Sequence, residues 1–165
     1  MKSLFCLLLL WGTACFAQSK NLSETYETDA FTVNYPKGWR VNTESAFHVL
    51  VLYPPSIGDS FETSINFFIM DEGEATANID TYARREKGFM EIRTDVQRYQ
   101  ILESRNGKCV RFDYTMNLSG MRLTGIQYRF IKGPTVYSLS FSGEEKSFQF
   151  YKEVAEEVMM SFRFK

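Results

Sequence analysis

Few side chains in this sequence have the chemistry of a nucleophile, a base or a metal ligand, and their numbers limit what they can do. His48 is the single histidine, so no histidine pair can form. Cysteine occurs at Cys6, Cys15 and Cys109, and the first two fall in a leader-like segment. One histidine and one remaining thiol cannot make a four-ligand zinc site. A Cys109–His48 dyad is the only Cys–His pairing left for nucleophilic chemistry. Both residues sit in runs of β-forming residues rather than at a glycine-rich elbow, and nothing marks a third residue to orient the histidine. Cys109 is out of phase with its apolar neighbours, which places it towards solvent or the underside of a helix. His48 reads as a polar-face or satisfied core histidine. Two groups of carboxylates, Asp59 with Glu62 and Asp71 with Glu72 and Glu74, offer hard oxygen ligands. They fall in loop-like stretches without a calcium-loop pattern, and a solvated acidic loop is the simpler reading. The GxSxG, GxGxxG and P-loop patterns are absent. No catalytic residue, metal ligand or cofactor-binding residue is therefore assigned.

The first seventeen residues have the order of a secretory signal: Lys2, an apolar run from Leu4 to Trp11, then small residues ending in Ala17. The run falls short of the roughly 20 apolar residues needed to span a bilayer, and no later segment approaches that length. Two processing routes are open. Ala17 suits cleavage before Gln18, whereas Gly-Thr-Ala-Cys offers lipidation at Cys15. Lipoprotein signals usually carry leucine three residues before the cysteine, where this sequence has Gly12, so simple cleavage is favoured. It leaves 148 of the 165 residues, a polar lead over 18–26 and one domain over 27–165. The leader takes one charge, Lys2, so 18 basic residues face 20 acidic ones in the mature chain. These charges are interspersed, which argues against nucleic acid as a partner. Export without an internal disulfide points to a bacterial envelope, periplasmic or extracellular.

The elements that must carry these residues are mostly strands. In "FTVNYPKGW" Phe31, Val33 and Tyr35 alternate with Thr32 and Asn34, the spacing of a strand with one apolar face. Tyr35-Pro36-Lys37-Gly38 reads as a type I turn, with Trp39 and Val41 starting a returning strand. Trp39 reads as a core anchor rather than a stacking platform. Two more runs, "FHVLVLYPP" and "FETSINFFIMDE", read as strands. From residue 99 hairpins follow one another, marked by Asn106-Gly107, by "NLSG" and by "KGPT". The apolar phase shifts between Leu123 and Ile126, which predicts a bulge at Gly125. Helices are predicted near 79–92 and 147–162. Asn78 or Asp80 would cap the first and Ser147 the second. Glu86 interrupts the apolar stripe of the first, and Gly88 weakens its later half. Consecutive hairpins with two helices give an α+β domain, an antiparallel sheet flanked by helices.

This order resembles the PsbP-like fold family. "YETDAFTVNYPKGWRV" matches its opening of aromatic strand, Tyr-Pro, short turn and Gly-Trp. A proline-broken loop "YPPSIGDS", an Ile-Asn-Phe strand and a last helix running into "MMSFRF" continue the likeness over residues 27–165. The family includes extrinsic photosystem subunits, Ran-binding nuclear proteins and small bacterial envelope proteins such as the DcrB-type lipoproteins. The resemblance implies an α/β/α sandwich and a non-enzymatic role in binding or stabilising another protein.

The function expected is thus a non-catalytic exported binding module of the bacterial envelope, with another envelope protein or a small apolar ligand as partner. A pocket protein for a lipid or cofactor is the alternative, and a carboxylate- or tyrosine-based enzyme is a more distant one. Processing is directly testable. Intact mass of protein from the native host is expected to correspond to a chain starting at Gln18, and a diacyl increment on Cys15 would replace that assignment with lipid anchoring.

Overall fold

The computed structural model describes residues 21–73 and 78–165, so the leader, Cys15, Gln18 and Glu74 lie outside the described residues. The hairpin-rich second half builds the centre of a seven-stranded antiparallel sheet. Its strands are β3 (Arg40–Asn42), β4 (Leu50–Tyr53), β5 (Ser64–Asp71), β6 (Asp95–Ser104), β7 (Gly107–Leu118), β8 (Met121–Lys132) and β9 (Thr135–Gly143). Their spatial order is β3-β4-β5-β9-β8-β7-β6. Ser119 and Gly120 both take positive φ at the β7–β8 turn, the conformation that matches the twist of a two-residue hairpin. A second sheet is made of β1 (Glu24–Glu27), β2 (Phe31–Tyr35) and β10 (Arg163–Phe164), with β2 in the middle. Helix α1 (Ile79–Arg93) packs on one face of the large sheet, against β6 and β7. Helix α2 (Glu145–Ser161) lies with the small sheet on the other. The α+β, antiparallel, helix-flanked architecture expected from the sequence is present.

Both faces of the central strands are buried, and this explains where the apolar phase misleads. Leu123 and Ile126 are each 1% exposed, yet they point to opposite faces. β8 pairs with β7 and β9 without a register shift, so there is no bulge at Gly125. Glycine is needed there for another reason: a Cβ would lie 2.3 Å from the Tyr114 ring, which crosses that position to reach Ser140. The register shift that does occur is in edge strand β6, between Val96 and Arg98. Cys109 alternates with Val110 in the same way. It packs beneath α2 and the small sheet, while Val110 faces α1.

The opening segment also departs from expectation. The turn runs from Pro36 to Trp39, one residue later than predicted, with the Trp39 amide donating to the Pro36 carbonyl. Gly38 is its third residue and takes a φ of +89°, open to glycine at little cost. The chain does not fold back on β2. It crosses to the large sheet, where β3 pairs with β4. Trp39 is 7% exposed and meets the Tyr151 ring edge-on, with centroids 6.2 Å apart. Phe31, Val33 and Trp39 all belong to the main core.

Each helix carries one glutamate to an arginine of the sheet. On the α1 face Glu86 is buried against Arg129, whose guanidinium also reaches the Tyr82 hydroxyl at 2.9 Å. Arg85 joins the group by bridging Glu86 and Glu72. On the α2 face Glu156 receives both terminal nitrogens of Arg111, which also binds Asp113 at 2.7 Å and Tyr128 at 3.0 Å. Glu86, an apparent break in the apolar stripe, is thus the buried link between α1 and the sheet. Phe89, three residues on in the same helix, is 57% exposed and takes no part in the core. Asn78 caps α1, accepting from the amides of Asp80 and Thr81 at 3.0 Å each. The helix continues through Gly88, at a position where a side chain would meet nothing.

The burial of Trp39 sets its contribution to stability. Trp39→Ala is expected to destabilise the fold by about 3–5 kcal/mol, the range for truncating a core aromatic. Thermal and urea unfolding check this, and an unchanged midpoint would mean the ring is not part of the core.

Candidate functional site

The ten-residue connection from β4 to β5, "PPSIGDSFET", walls a surface cleft of about 410 Å³. Two prolines stop β4, since neither has an amide to extend the ladder. The chain then loops across the first turns of α2 before re-entering the sheet. Four bonds hold it there. The Tyr151 hydroxyl donates to the Pro55 carbonyl at 2.5 Å, and Lys146 donates to the Ile57 carbonyl at 3.3 Å. The Phe61 amide donates to the Glu144 carboxylate at 2.7 Å, and Thr63 shares a 2.6 Å bond with Ser147.

These contacts correct the capping expectation. Ser147 lies inside the helix and is buried against Thr63, while the N-cap residue is Glu144. Glu144 makes no side-chain cap bond because its carboxylate is spent on the loop. The close packing also requires Gly143, where a Cβ would lie 2.5 Å from the Thr63 hydroxyl.

The opposite wall is polar and aromatic. The Arg40 guanidinium lies 3.9 Å over the Tyr53 ring and pairs with Glu62 at the mouth. Arg40 and Glu62 are both more than half exposed, so their pairing contributes little to stability. Asp59 lines the cleft, and its Oδ2 is shut off from solvent with no hydrogen-bond partner. Burial raises the Tyr151 hydroxyl above the usual phenol range. The cleft therefore offers aromatic faces, a mouth with paired charges and one unsatisfied carboxylate oxygen.

The sequence candidates separate clearly. Asp59 and Glu62 come together on the cleft. Asp71 accepts from the Gly73 amide at 3.0 Å, and Glu72 pairs with Arg85 at 2.8 Å. Among the described residues no three histidine, cysteine, aspartate or glutamate side chains gather as a metal site. His48 is not on a strand. It lies in the loop before β4, its ring 4.4 Å from Phe68 and its Nδ1 bonded to Ser45 at 2.8 Å, and burial lowers its pKa. Cys109 on β7 is separated from β4 by three strands, on the order of 19 Å. The pair does not form a dyad. Burial also pushes the Cys109 thiol up to about 11, which keeps it protonated and unreactive at neutral pH.

Nothing in the sequence marks Arg40, Tyr53 or Tyr151 as a site residue, and they meet only through the tertiary fold. The one available signal was Pro54-Pro55, which marks where the strand must stop.

No family model matches the chain, and no curated protein matches it in sequence. Solved structures do share its fold. Cyanobacterial PsbP from Synechocystis sp. PCC 6803 matches with a TM-score of 0.63 at 12% identity, over 86% of this chain and 92% of that one. LpqN of Mycobacterium tuberculosis, described as involved in cell envelope biogenesis, matches with a TM-score of 0.65 at 10% identity, over 82% and 83%. A Pseudomonas aeruginosa protein of unknown function gives 0.60 at 16% identity, over 84% and 94%. The chain has the PsbP-like fold, and at these identities the likeness is one of fold.

The thiol supplies a test of the interior. The folded state holds the Cys109 proton to about pH 11, while the unfolded chain releases it near its ordinary value of 9. The native state then binds more protons, so stability falls as pH rises from about 9 to about 11. The loss is about 2–3 kcal/mol for a shift of this size. Urea unfolding across that window is expected to show a shallower decline for Cys109→Ala than for the native protein.

Proposed function

We propose that this chain is a non-catalytic binding module of the bacterial cell envelope. On this reading it acts after export, as one functional domain that takes in strand β1 together with residues 27–165. The cleft over the β4–β5 connection is its binding face, and another envelope protein is its partner. The observation that carries this reading is the cleft itself. It is concave, has aromatic walls and contains one carboxylate oxygen with no internal partner. Its volume is within the range of ligand pockets, about 300–1,000 Å³, so the same face suits a small ligand as a second reading.

Three further points support a binding role over catalysis. Cys109 is buried and its thiol is raised out of the reactive range. His48 is committed to Ser45 and Phe68, far from that thiol. Asp59 and Glu62 share the cleft with no histidine or lysine among its lining residues to act as a proton partner. Export rests on the leader pattern of residues 1–17, and among the described residues no helix is long and apolar enough to cross a membrane. The likeness to LpqN, a protein described as involved in cell envelope biogenesis, is consistent with this setting.

The test is site-specific photocrosslinking in the native host, with the probe at Phe61 in the cleft and, as a comparison, at Lys108 on β7, far across the sheet. A single partner recovered reproducibly by mass spectrometry from Phe61 and not from Lys108 is the expected result. Turnover of a defined substrate, abolished by Glu62→Gln, would instead make the protein an enzyme.

A further inference from the structure

The cleft contains a group that the rest of the chain leaves unmet. The Asp59 Oδ2 has no solvent contact and no donor. A buried carboxylate oxygen without a donor costs more than an unpaired neutral group, and native structures keep few of them. The cations around the cleft are engaged elsewhere. Arg40 is stacked on Tyr53 and paired with Glu62, and Lys146 donates to the Ile57 carbonyl. The third acid, Glu144, is held by the Phe61 amide. Of these groups only Asp59, Glu62 and Arg40 line the cleft, so two carboxylates face one cation and one negative charge is left unbalanced. The surrounding walls are not those of a metal site. Pro54, Ile57 and Phe61 are apolar, and Tyr53 and Tyr151 add aromatic rings.

We infer that this cleft binds an alkylammonium group. Its N–H donors pair with Asp59, and its methylene stem lies along Ile57, Phe61 and the tyrosine rings. Each part of the site selects for one part of that ligand. The carboxylate needs a donor with positive charge, which a primary ammonium supplies three times over. Aromatic rings attract a cation and also cover an aliphatic stem. A metal ion would leave the apolar walls unused, and an anion would add to the excess negative charge. Because Oδ2 is closed off, entry requires the 56–60 stretch to shift, and its link to α2 is the exposed Lys146 bond. The inference rests on the binding-module reading and names what that face recognises. A lysine side chain on a partner protein and a free aliphatic amine both present this chemistry.

Amide NMR titration of the processed protein tests it with three probes: n-pentylammonium, the blocked tripeptide acetyl-Gly-Lys-Gly-amide, and 1-pentanol as the uncharged control. Saturable shifts at the amides of residues 57–61 are expected for at least one ammonium probe. Affinity for 1-pentanol, and affinity of Asp59→Asn for the ammonium, are each expected to be at least tenfold weaker. Saturation by n-pentylammonium alone identifies a free amine as the source, whereas tighter binding of the tripeptide identifies a lysine side chain. No saturable shift with either ammonium, or equal binding of 1-pentanol, overturns the inference. Undiminished binding by Asp59→Asn overturns it as well. The pentanol comparison needs no variant, so the test stands even where Asp59→Asn fails to fold. Partner capture through Phe61 without any ammonium response would sink the amine and leave the binding-module reading in place.

Discussion

Phe162 joins the two sheets of this protein. It leaves the end of α2 with 1% of its surface exposed and places its ring among Phe31, Phe130, Tyr137 and Phe164, with centroids 5.1–5.5 Å apart. Phe31 belongs to the small sheet, Phe130 and Tyr137 to the large one, and Phe164 to the last strand. Aromatic pairs in tilted or edge-on contact add about 0.5–1.5 kcal/mol each beyond the area they bury. Phe31 also packs on Phe67 and Tyr137, and together these contacts give the three short strands of the small sheet a face to bury against, since so small a sheet is marginal by itself. The Asn106 side chain reinforces the junction by donating to the Phe162 carbonyl at 2.8 Å and accepting from the Phe164 amide at 3.2 Å. A residue that sets a hairpin turn thereby also fastens the C-terminus.

The second constraint is that the central strands are covered on both faces. Such a sheet has no free face for charge, yet each helix brings a glutamate to it. Arg129 and Arg111 meet these glutamates on opposite faces, from neighbouring strands. A buried ion pair of this kind is a poor source of net stability, because desolvation offsets the attraction. Removing one partner, by contrast, strands a charge at a cost of about 3–5 kcal/mol. The two pairs therefore penalise wrong placements of the helices more than they stabilise the right one. The Tyr82 and Tyr128 hydroxyls, each bonded to its arginine, fix the guanidinium orientation further.

The cleft follows from where these constraints end. Beyond β4 the chain has passed the aromatic junction, and the two prolines release it from the ladder. The start of α2 holds the loop, through Glu144, Lys146, Ser147 and Tyr151, beside the exposed Arg40–Glu62 pair. A loop held at both ends, with an unmet carboxylate between, is the part of the molecule with most to gain from a ligand.

Much of this was legible in the residues. Phe31-Val33-Tyr35, the Asn-Gly turn and the spacing of Tyr151, Val154, Ala155 and Val158 each depend on local periodicity or turn chemistry. Those effects act within a few residues and survive in the chain order. The burial of Trp39 was legible for the same reason. Other features depended on which elements became neighbours. The crossing of the opening segment to a second sheet depended on Phe162, more than 120 positions away. Glu86 looked like a flaw in an apolar stripe because its partner, Arg129, is 43 residues distant. Gly125 looked like a bulge because periodicity records that a residue is apolar and not which face is covered. Asp59 and Glu62 looked like a solvated acidic loop, and only the tertiary fold closed the Asp59 Oδ2 away from water and set Tyr53 and Tyr151 beside it. Chain order determined the elements, and the burial of both sheet faces decided which charges, glycines and loops acquired a purpose.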